Sequence, residues 1–166
     1  MRLAVAREAD PTEDRVAATA DTVKKLQALG FDVVIEPGAG VKSGIPDADF
    51  TAAGASVTPD AIKNADVVLK VRRPAAAELG AYKKGALVIA IMDPYGNEPA
   101  LKAMADAGVV AFAMELMPRI TRAQSMDVLS SQANLAGYRA VIESAGAFER
   151  GSPMMMTAAG TVPPAR

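Results

Sequence analysis

Arg119, Arg122, Gln124, Ser125 and Asp127 fall within nine residues of one another, in MPRITRAQSMD from Met117 to Asp127. A plain connection between two elements needs only turn-forming residues such as Gly, Asn or Ser. Here two guanidinium groups, an amide and a carboxylate stand together. A guanidinium can hold a carboxylate or phosphate in a bidentate fork. An amide matches a ligand carboxamide, because it offers one donor group and one acceptor. Ser130, three residues past Asp127, is a further small donor or acceptor. On spacing alone the cluster suits a nicotinamide-like group. A solvated loop in which Arg119 and Asp127 form an ion pair of small energetic value stays open beside it.

Two further candidates stand elsewhere. Arg15 and Lys70 are cations at positions that a sheet edge can bring near each other, and such a pair can hold a substrate carboxylate; two separate snorkelling side chains are the alternative. GAGVKSG, from Gly38 to Gly44, follows an apolar run as a phosphate-binding loop would. Its glycine spacing is wrong for GxGxxG, and a tight turn is the better reading. The chain has no Cys and no His. Thiolate chemistry, disulfides, Ser-His hydrolysis and the commonest metal ligands are therefore excluded, and no metal site is expected. Direct hydride transfer, which needs neither a strong acid nor a strong base, is still allowed.

The elements that must position these residues alternate in type. Short apolar runs are predicted as strands at Arg2–Ala6, Phe31–Pro37, Ala65–Val71, Ala86–Met92 and Val109–Met117, with a small strand near Ser56. Helical patterns lie between them: Asp14–Leu29 stopped by Gly30, DADFTAAGA, a short helix beginning near Pro59, PAAAELGAY, and NEPALKAMADAG ending at Gly108. This alternation implies an α/β layer, Rossmann-like or flavodoxin-like, with a mostly parallel sheet of five or more strands. Ligands in such sheets lie beyond the carboxyl ends of the strands, which is where the cluster after Met117 falls. A long helix is predicted from about Ser125 to Glu149, stopped by Gly151. Its stripe of Met126, Leu129, Ala133, Gly137, Ala140, Val141 and Phe148 is expected to pack as core against a neighbour in the full protein, with part of that face exposed in this half. Met114, Met117 and Met154–Met156 read as core filler. TVPPAR reads as an extended linker. The expected organisation is an α/β domain over 1–120, the polar loop and long connecting helix over 121–150, and a linker over 151–166.

The chain has 166 residues, half of them apolar, and a formal net charge of -1. That is enough for one domain with a real core and gives no basic stripe for nucleic acid. No apolar run reaches the roughly 18 residues that span a bilayer, and the N-terminus lacks a signal-peptide core, so a cytoplasmic location is expected.

MPRITRAQSMDVLSSQANLAGYRAVIESA together with MMMTAAGTVPPAR resembles the NAD(H)-binding subunit of the proton-translocating nicotinamide nucleotide transhydrogenases, and DRVAATADTVKKLQALGFDVVIEPGAG is similar to the opening of that subunit. The resemblance runs over essentially the whole chain. It implies that Arg119, Gln124 and Asp127 are the catalytic loop residues, and that with Val128, Leu129 and Ser130 they surround the nicotinamide end of NAD(H). Arg119 and Asp127 would orient one another and the carboxamide, Gln124 would face the second nucleotide, and Ser130 would complete the carboxamide contacts. Hydride would pass to NADP+ held by a partner domain. The implied partners are membrane-spanning and NADP(H)-binding components, with the complete NAD-binding component a homodimer, peripheral to the membrane through its partner subunits.

In that family GTVPPAR leads into a Rossmann strand and a Gly-rich turn for the pyrophosphate, whereas this sequence stops there. The chain is therefore expected to be the first half of the NAD(H)-binding component, to lack the main nucleotide cradle, and to bind NAD(H) weakly or not at all by itself. The same half is shared with alanine dehydrogenase, whose carboxylate-holding pair Arg15 and Lys70 match. That enzyme needs a catalytic His where this chain reads AIMDPYGNEP. An alanine dehydrogenase-like half is one alternative, and a non-catalytic interaction or dimerisation domain is another.

Overall fold

In the computed structural model, residues 1–148 and 153–163 are described. The chain forms two compact units, Met1–Pro118 and Arg119–Arg166.

The first unit is built on six strands: β1 (Arg2–Val5), β2 (Asp32–Ile35), β3 (Ser56–Val57), β4 (Val67–Arg72), β5 (Leu87–Ile91) and β6 (Val110–Ala113). All neighbours pair in parallel, in the order β3-β2-β1-β4-β5-β6. The predicted α/β layer with a parallel sheet is thus present, in the Rossmann-like arrangement. Strand alternation sends successive side chains to opposite faces. Ala4, Val34, Val68 and Val88 lie on one face, beneath Leu79, Tyr82 and Met104. Leu3, Val5, Val33, Ile35 and Val67 lie on the other, beneath Val23 of α1 (Ala20–Ala28) and Phe50 of α2 (Asp47–Ala52). Helix α3 (Glu98–Asp106) supplies Met104. The outermost strand is less covered: Val110 is 53% and Phe112 42% exposed.

Several boundaries differ from expectation, each for a local reason. Helix α1 starts at Ala20, not Asp14, with the Thr19 hydroxyl accepting the N–H of Thr22. The preceding segment is held out of the helix by the turn after β2: Lys42 Nζ donates to the carbonyl of Pro11 at 2.7 Å, and Ser43 Oγ to that of Asp14 at 2.6 Å. The helix expected near Pro59 is a run of turns over 59–64. PAAAELGAY forms a 3-10 helix over Ala76–Ala81. The strand expected to reach Met117 ends at Ala113 and passes into a 3-10 turn, Met114–Leu116, with Met114 and Met117 only half-buried.

The second unit holds a 3-10 helix over Thr121–Met126, the long helix α4 (Val128–Ala147) and a hairpin of β7 (Met155–Thr157) with β8 (Gly160–Val162). The long helix is thus present but begins at Val128, where the Asp127 side chain accepts the N–H of Ser130 as an N-cap. Its predicted end at Glu149 and stop at Gly151 lie outside the described residues. Thr161 and Val162 pair within the hairpin instead of running as an extended linker, and residues 164–166 also lie outside. The α4 stripe is not core within this half, where part of that face is expected to be exposed. No residue of α4 is buried; Met126, Leu129, Val141 and Phe148 are exposed, and so are Leu135, Tyr138 and Ile142. Met154–Met156 are exposed too. A helix and one short hairpin supply too little surface to cover an apolar helix.

Two glycines separate packing from propensity. A Cβ on Gly40 would stand 2.6 Å from the Ile45 carbonyl oxygen and 2.7 Å from the Phe50 ring, whereas one on Gly137 in α4 would meet nothing within 4 Å. Gly40→Ala is expected to lower the thermal midpoint of the first unit. Gly137→Ala is expected to raise helix stability by roughly 0.5–1 kcal/mol. Calorimetry on the two variants checks both signs.

Candidate functional site

The order of the sheet reverses beside β1: the chain winds outward through β2 and β3, then returns to place β4 on the other side of β1. Loops leaving the carboxyl ends of β1 and β4 therefore diverge and open a crevice. Two adjoining hollows of about 490 and 470 Å³ lie there, both lined by Glu8, Ala9 and Glu78. The first also takes Lys70, Arg72 and Arg73, the second Glu13, Arg15 and Lys42.

Each cation of the predicted carboxylate-holding pair is met by a carboxylate of the protein itself. Lys70 sits near the end of β4 with its side chain 1% exposed, and its Nζ donates to Glu78 Oε1 at 2.7 Å. Arg15 lies ahead of α1, outside the helix it was expected to open, and grips Glu13 through Nε and Nη2, both at 2.7 Å. Glu13 is itself buried and accepts the Arg15 backbone N–H at 3.2 Å and Arg72 Nε at 2.9 Å as well. The hydrogen bonds of Arg15, with those of Arg72, hold its carboxyl down from an ordinary 4.5 to about 2, against the opposing effect of burial. Glu8 accepts the N–H groups of Val71 at 2.7 Å and Arg72 at 3.3 Å, yet burial pushes its pKa upward. An isolated buried ion is costly, so these pairings are what allow charge to remain in the crevice. Sequence reasoning missed Glu8, Glu13 and Glu78. The signal for Glu78 was a lone carboxylate inside the apolar run AAAELGA. The GAGVKSG turn is likewise spent internally: the Gly38 N–H, which a phosphate would need, donates to the Asp47 carboxylate at 3.0 and 3.1 Å.

The loop cluster of the second unit is arranged differently. Asp127 Oδ1 accepts the Ser130 N–H at 3.0 Å and Oδ2 the Ser130 hydroxyl at 2.7 Å, so these two predicted residues meet. Those bonds, helped by the more distant charge of Arg119, hold the Asp127 carboxyl below its usual range. Among the described residues no ion pair joins Arg119 to Asp127, whose carboxylate is held by Ser130. Arg119, Arg122, Gln124 and Ser125 are exposed, as are Leu129 and Ser130, while Val128 is half-buried. Committed polar groups in the crevice thus contrast with exposed ones on the loop.

This fold with this loop is found in known proteins. Residues 4–136 match the family model described as "Alanine dehydrogenase/PNT, N-terminal domain". The chain belongs to that family. Over its whole length it is 53% identical to an NAD(P) transhydrogenase subunit alpha protein of Rhodospirillum rubrum, covering 45% of that protein. The crystal structure of transhydrogenase from Sinorhizobium meliloti superposes with a TM-score of 0.95 at 64% identity, over 99% of this chain and 50% of that one. An alanine dehydrogenase of Halomonas elongata is more distant, 31% identical over the whole chain and 46% of its own length. The chain therefore spans about half the length of the curated relatives it matches. Among the described residues no helix is long and apolar enough to cross a membrane.

The Glu13 cluster has a signed pH dependence. Because its folded pKa is depressed, Glu13 adds stability that is fully present above about 4.5 and is lost as pH falls towards about 2. Glu13→Gln is expected to lower the thermal midpoint at pH 7, with the gap to the parent narrowing between those two values. Melting curves across that range check it, and a gap that stays constant contradicts the ionised cluster.

Proposed function

We propose that this chain is part of the NAD(H)-binding component of a proton-translocating transhydrogenase, which passes hydride between NAD(H) and NADP(H) while protons move across the membrane. Its share is the nicotinamide-side loop. The observation that carries this reading is the contrast within that loop. Asp127 and Ser130 hold each other at the start of α4, while Arg119 and Gln124 stay exposed. These groups fit a nicotinamide. Gln124 offers both a donor and an acceptor to a carboxamide, Arg119 offers donors, and Asp127 is an acceptor at neutral pH. Ser130 donates its hydroxyl proton to Asp127, which leaves its oxygen to accept. Val128 and Leu129 add apolar contact. Gln124 stands towards the second nucleotide, on a partner domain.

The bound nucleotides supply the redox chemistry, and the residues of this chain align them. Alignment is a task that a chain without His can perform. The enzyme class is the Re/Si-specific proton-translocating transhydrogenase, acting as a complex with NADP(H)-binding and membrane-spanning components. The chain sits in the cytoplasm, peripheral to the membrane through those partners. The complete NAD-binding component is a homodimer, and the exposed apolar residues of α4 support such an assembly. The internal pairing of Lys70 with Glu78 and of Arg15 with Glu13 leaves neither cation clear for a substrate carboxylate, which tells against alanine oxidation.

Three measurements test this. Alone, the chain is expected to bind NADH weakly or not at all in a nucleotide titration and to be inactive, and light scattering is expected to show self-association as concentration rises. In the full-length component assembled with its partners, Gln124→Ala, Asp127→Asn and Arg119→Lys are expected to slow single-turnover hydride transfer. A misplacement of about 1 Å can cost on the order of a hundredfold. The dissociation constant for NADH should change far less, since most binding energy comes from the pyrophosphate and adenosine ends. Parental transfer rates in all three would make the loop a mere connection.

A further inference from the structure

Strand β4 carries one residue more than its neighbour can match. Leu69 faces Ile89 and Arg72 faces Ile91, so Lys70 and Val71 together oppose Ala90. A bulge of this kind bends the strand and leaves the extra residue out of the ladder. On its other side β4 loses its partner at the same level. The ladder with β1 runs from Leu3↔Val67 to Val5↔Leu69, and just beyond it the Ala6 N–H donates to the Leu69 carbonyl at 3.2 Å. There the two strands part and the crevice begins.

Past that point side chains take over from backbone. Glu8 reaches across from the β1 side and accepts the N–H of Val71 at Oε1, 2.7 Å away, and that of Arg72 at Oε2, 3.3 Å away. Lys70 reaches back and donates to the Arg7 carbonyl at 3.4 Å, beside its shorter bond to Glu78. The Glu8 carboxylate thus does at the bulge what a further peptide of β1 would do. A peptide carbonyl takes up no proton at ordinary pH, but a carboxylate does, and protonation turns one of its two acceptor oxygens into a donor. One of the two N–H groups must then lose its partner.

The surroundings of Glu8 favour that change. Burial pushes its pKa upward, although the two N–H groups and Lys70 oppose the rise, and Glu13 adds repulsion. Arg15 and Arg72 share the hollows with it on the cationic side, Glu36 and Glu78 on the anionic side. The remaining charges there, Arg7, Lys42 and Arg73 against Asp10, Asp14 and Asp93, balance in number. Glu13 is held down to about 2, so its bonds to Arg15 and Arg72 persist where Glu8 takes up its proton. One joint can open while the next stays shut.

We propose that Glu8 is a proton-operated latch at the β4 bulge: ionised, it holds both N–H groups and spans the gap beyond the β1–β4 ladder; protonated, it keeps Val71 and releases Arg72, which loosens the carboxyl end of β4 beside the crevice. The inference lies within the first unit and does not depend on the function proposed for the loop after Pro118.

Nuclear magnetic resonance on the full-length protein tests it, following the Glu8 carboxyl carbon and the β4 amides from about pH 8 to about pH 4. The Arg72 amide signal is expected to move with the midpoint of the Glu8 carboxyl, and its protection from hydrogen exchange to fall roughly tenfold. Val71, and Val68 within the ladder, are expected to keep theirs. Glu8→Gln, which carries one acceptor and one donor group at every pH, is expected to show the lowered Arg72 protection already at neutral pH and to abolish its pH dependence. The parent titration carries the test if that variant does not fold. An Arg72 amide that ignores the Glu8 titration overturns the proposal. So does an equal loss of protection at Val68, because the strand would then be unfolding. Parental Arg72 protection in folded Glu8→Gln overturns it as well.

Discussion

In a wholly parallel sheet every strand delivers its carboxyl end to the same edge, and every polar group placed just after a strand collects there. Strand β1 makes this constraint consequential, because it pairs with β2 on one side and β4 on the other. The chain must part at that point, and the gap cannot be filled by a crossover helix. Glu8 and the turn holding Glu13 and Arg15 therefore meet Lys70 around one crevice although Lys70 is far from them in sequence. The same constraint brings Asp93, just past β5, and the exit of the chain after β6 to that edge of the first unit.

Gathering charges in one place has an electrostatic consequence. Lys70 is almost wholly buried, and a lone ammonium there would be costly; Glu78 removes the cost at 2.7 Å. In the other cluster the buried member is Glu13, whose burial the half-exposed Arg15 and Arg72 guanidinium groups offset, and its depressed pKa reflects their combined hold. Once carboxylates of the chain occupy its own cations, the crevice offers little net attraction to a ligand anion. Its polarity then supports the fold. The loop after Pro118 has the opposite character, with exposed donors that no carboxylate among the described residues pairs with.

Strand–helix alternation made the layer legible, because two-faced burial leaves apolar runs such as ADVVLK and ALVIAI that periodicity detects. Helix starts were less legible. Asp14 to Thr19 carries acceptable helix formers, and the Thr19 cap together with tertiary bonds from Lys42 and Ser43 to the start of the segment keeps it out of α1. The α4 stripe was legible only as a face: periodicity reports an apolar side but not whether anything in the same chain covers it. For the loop, residue types pointed to a binding role and the resemblance supplied the parts each would play. The Asp127–Ser130 contact follows from N-cap spacing, which the sequence does display. The partners of Arg15 and Lys70 were not legible, since Glu78 reaches Lys70 only once the 3-10 helix after β4 folds back.

The Asp127–Ser130 pair bears on what kind of chemistry the loop can do. A carboxyl held below its usual range by two hydrogen bonds is ionised at neutral pH, so Asp127 is a poor proton donor there. As a proton acceptor it is also weak, because those same bonds stabilise the charged form. General acid–base catalysis near neutrality wants a pKa close to the working pH, and Asp127 has moved away from it. What the pair does provide is geometry. The cap ties Asp127 to the first turn of α4, and the Ser130 hydroxyl, donating its hydrogen bond to the ionised Asp127, keeps its oxygen as an acceptor. On the proposed reading, a carboxamide N–H would find that acceptor in a place set by backbone bonds rather than by a free rotor. Hydride transfer asks for this kind of alignment and for no proton at the reacting carbon. On that reading a loop with one firmly ionised carboxylate and no imidazole contributes alignment rather than proton transfer.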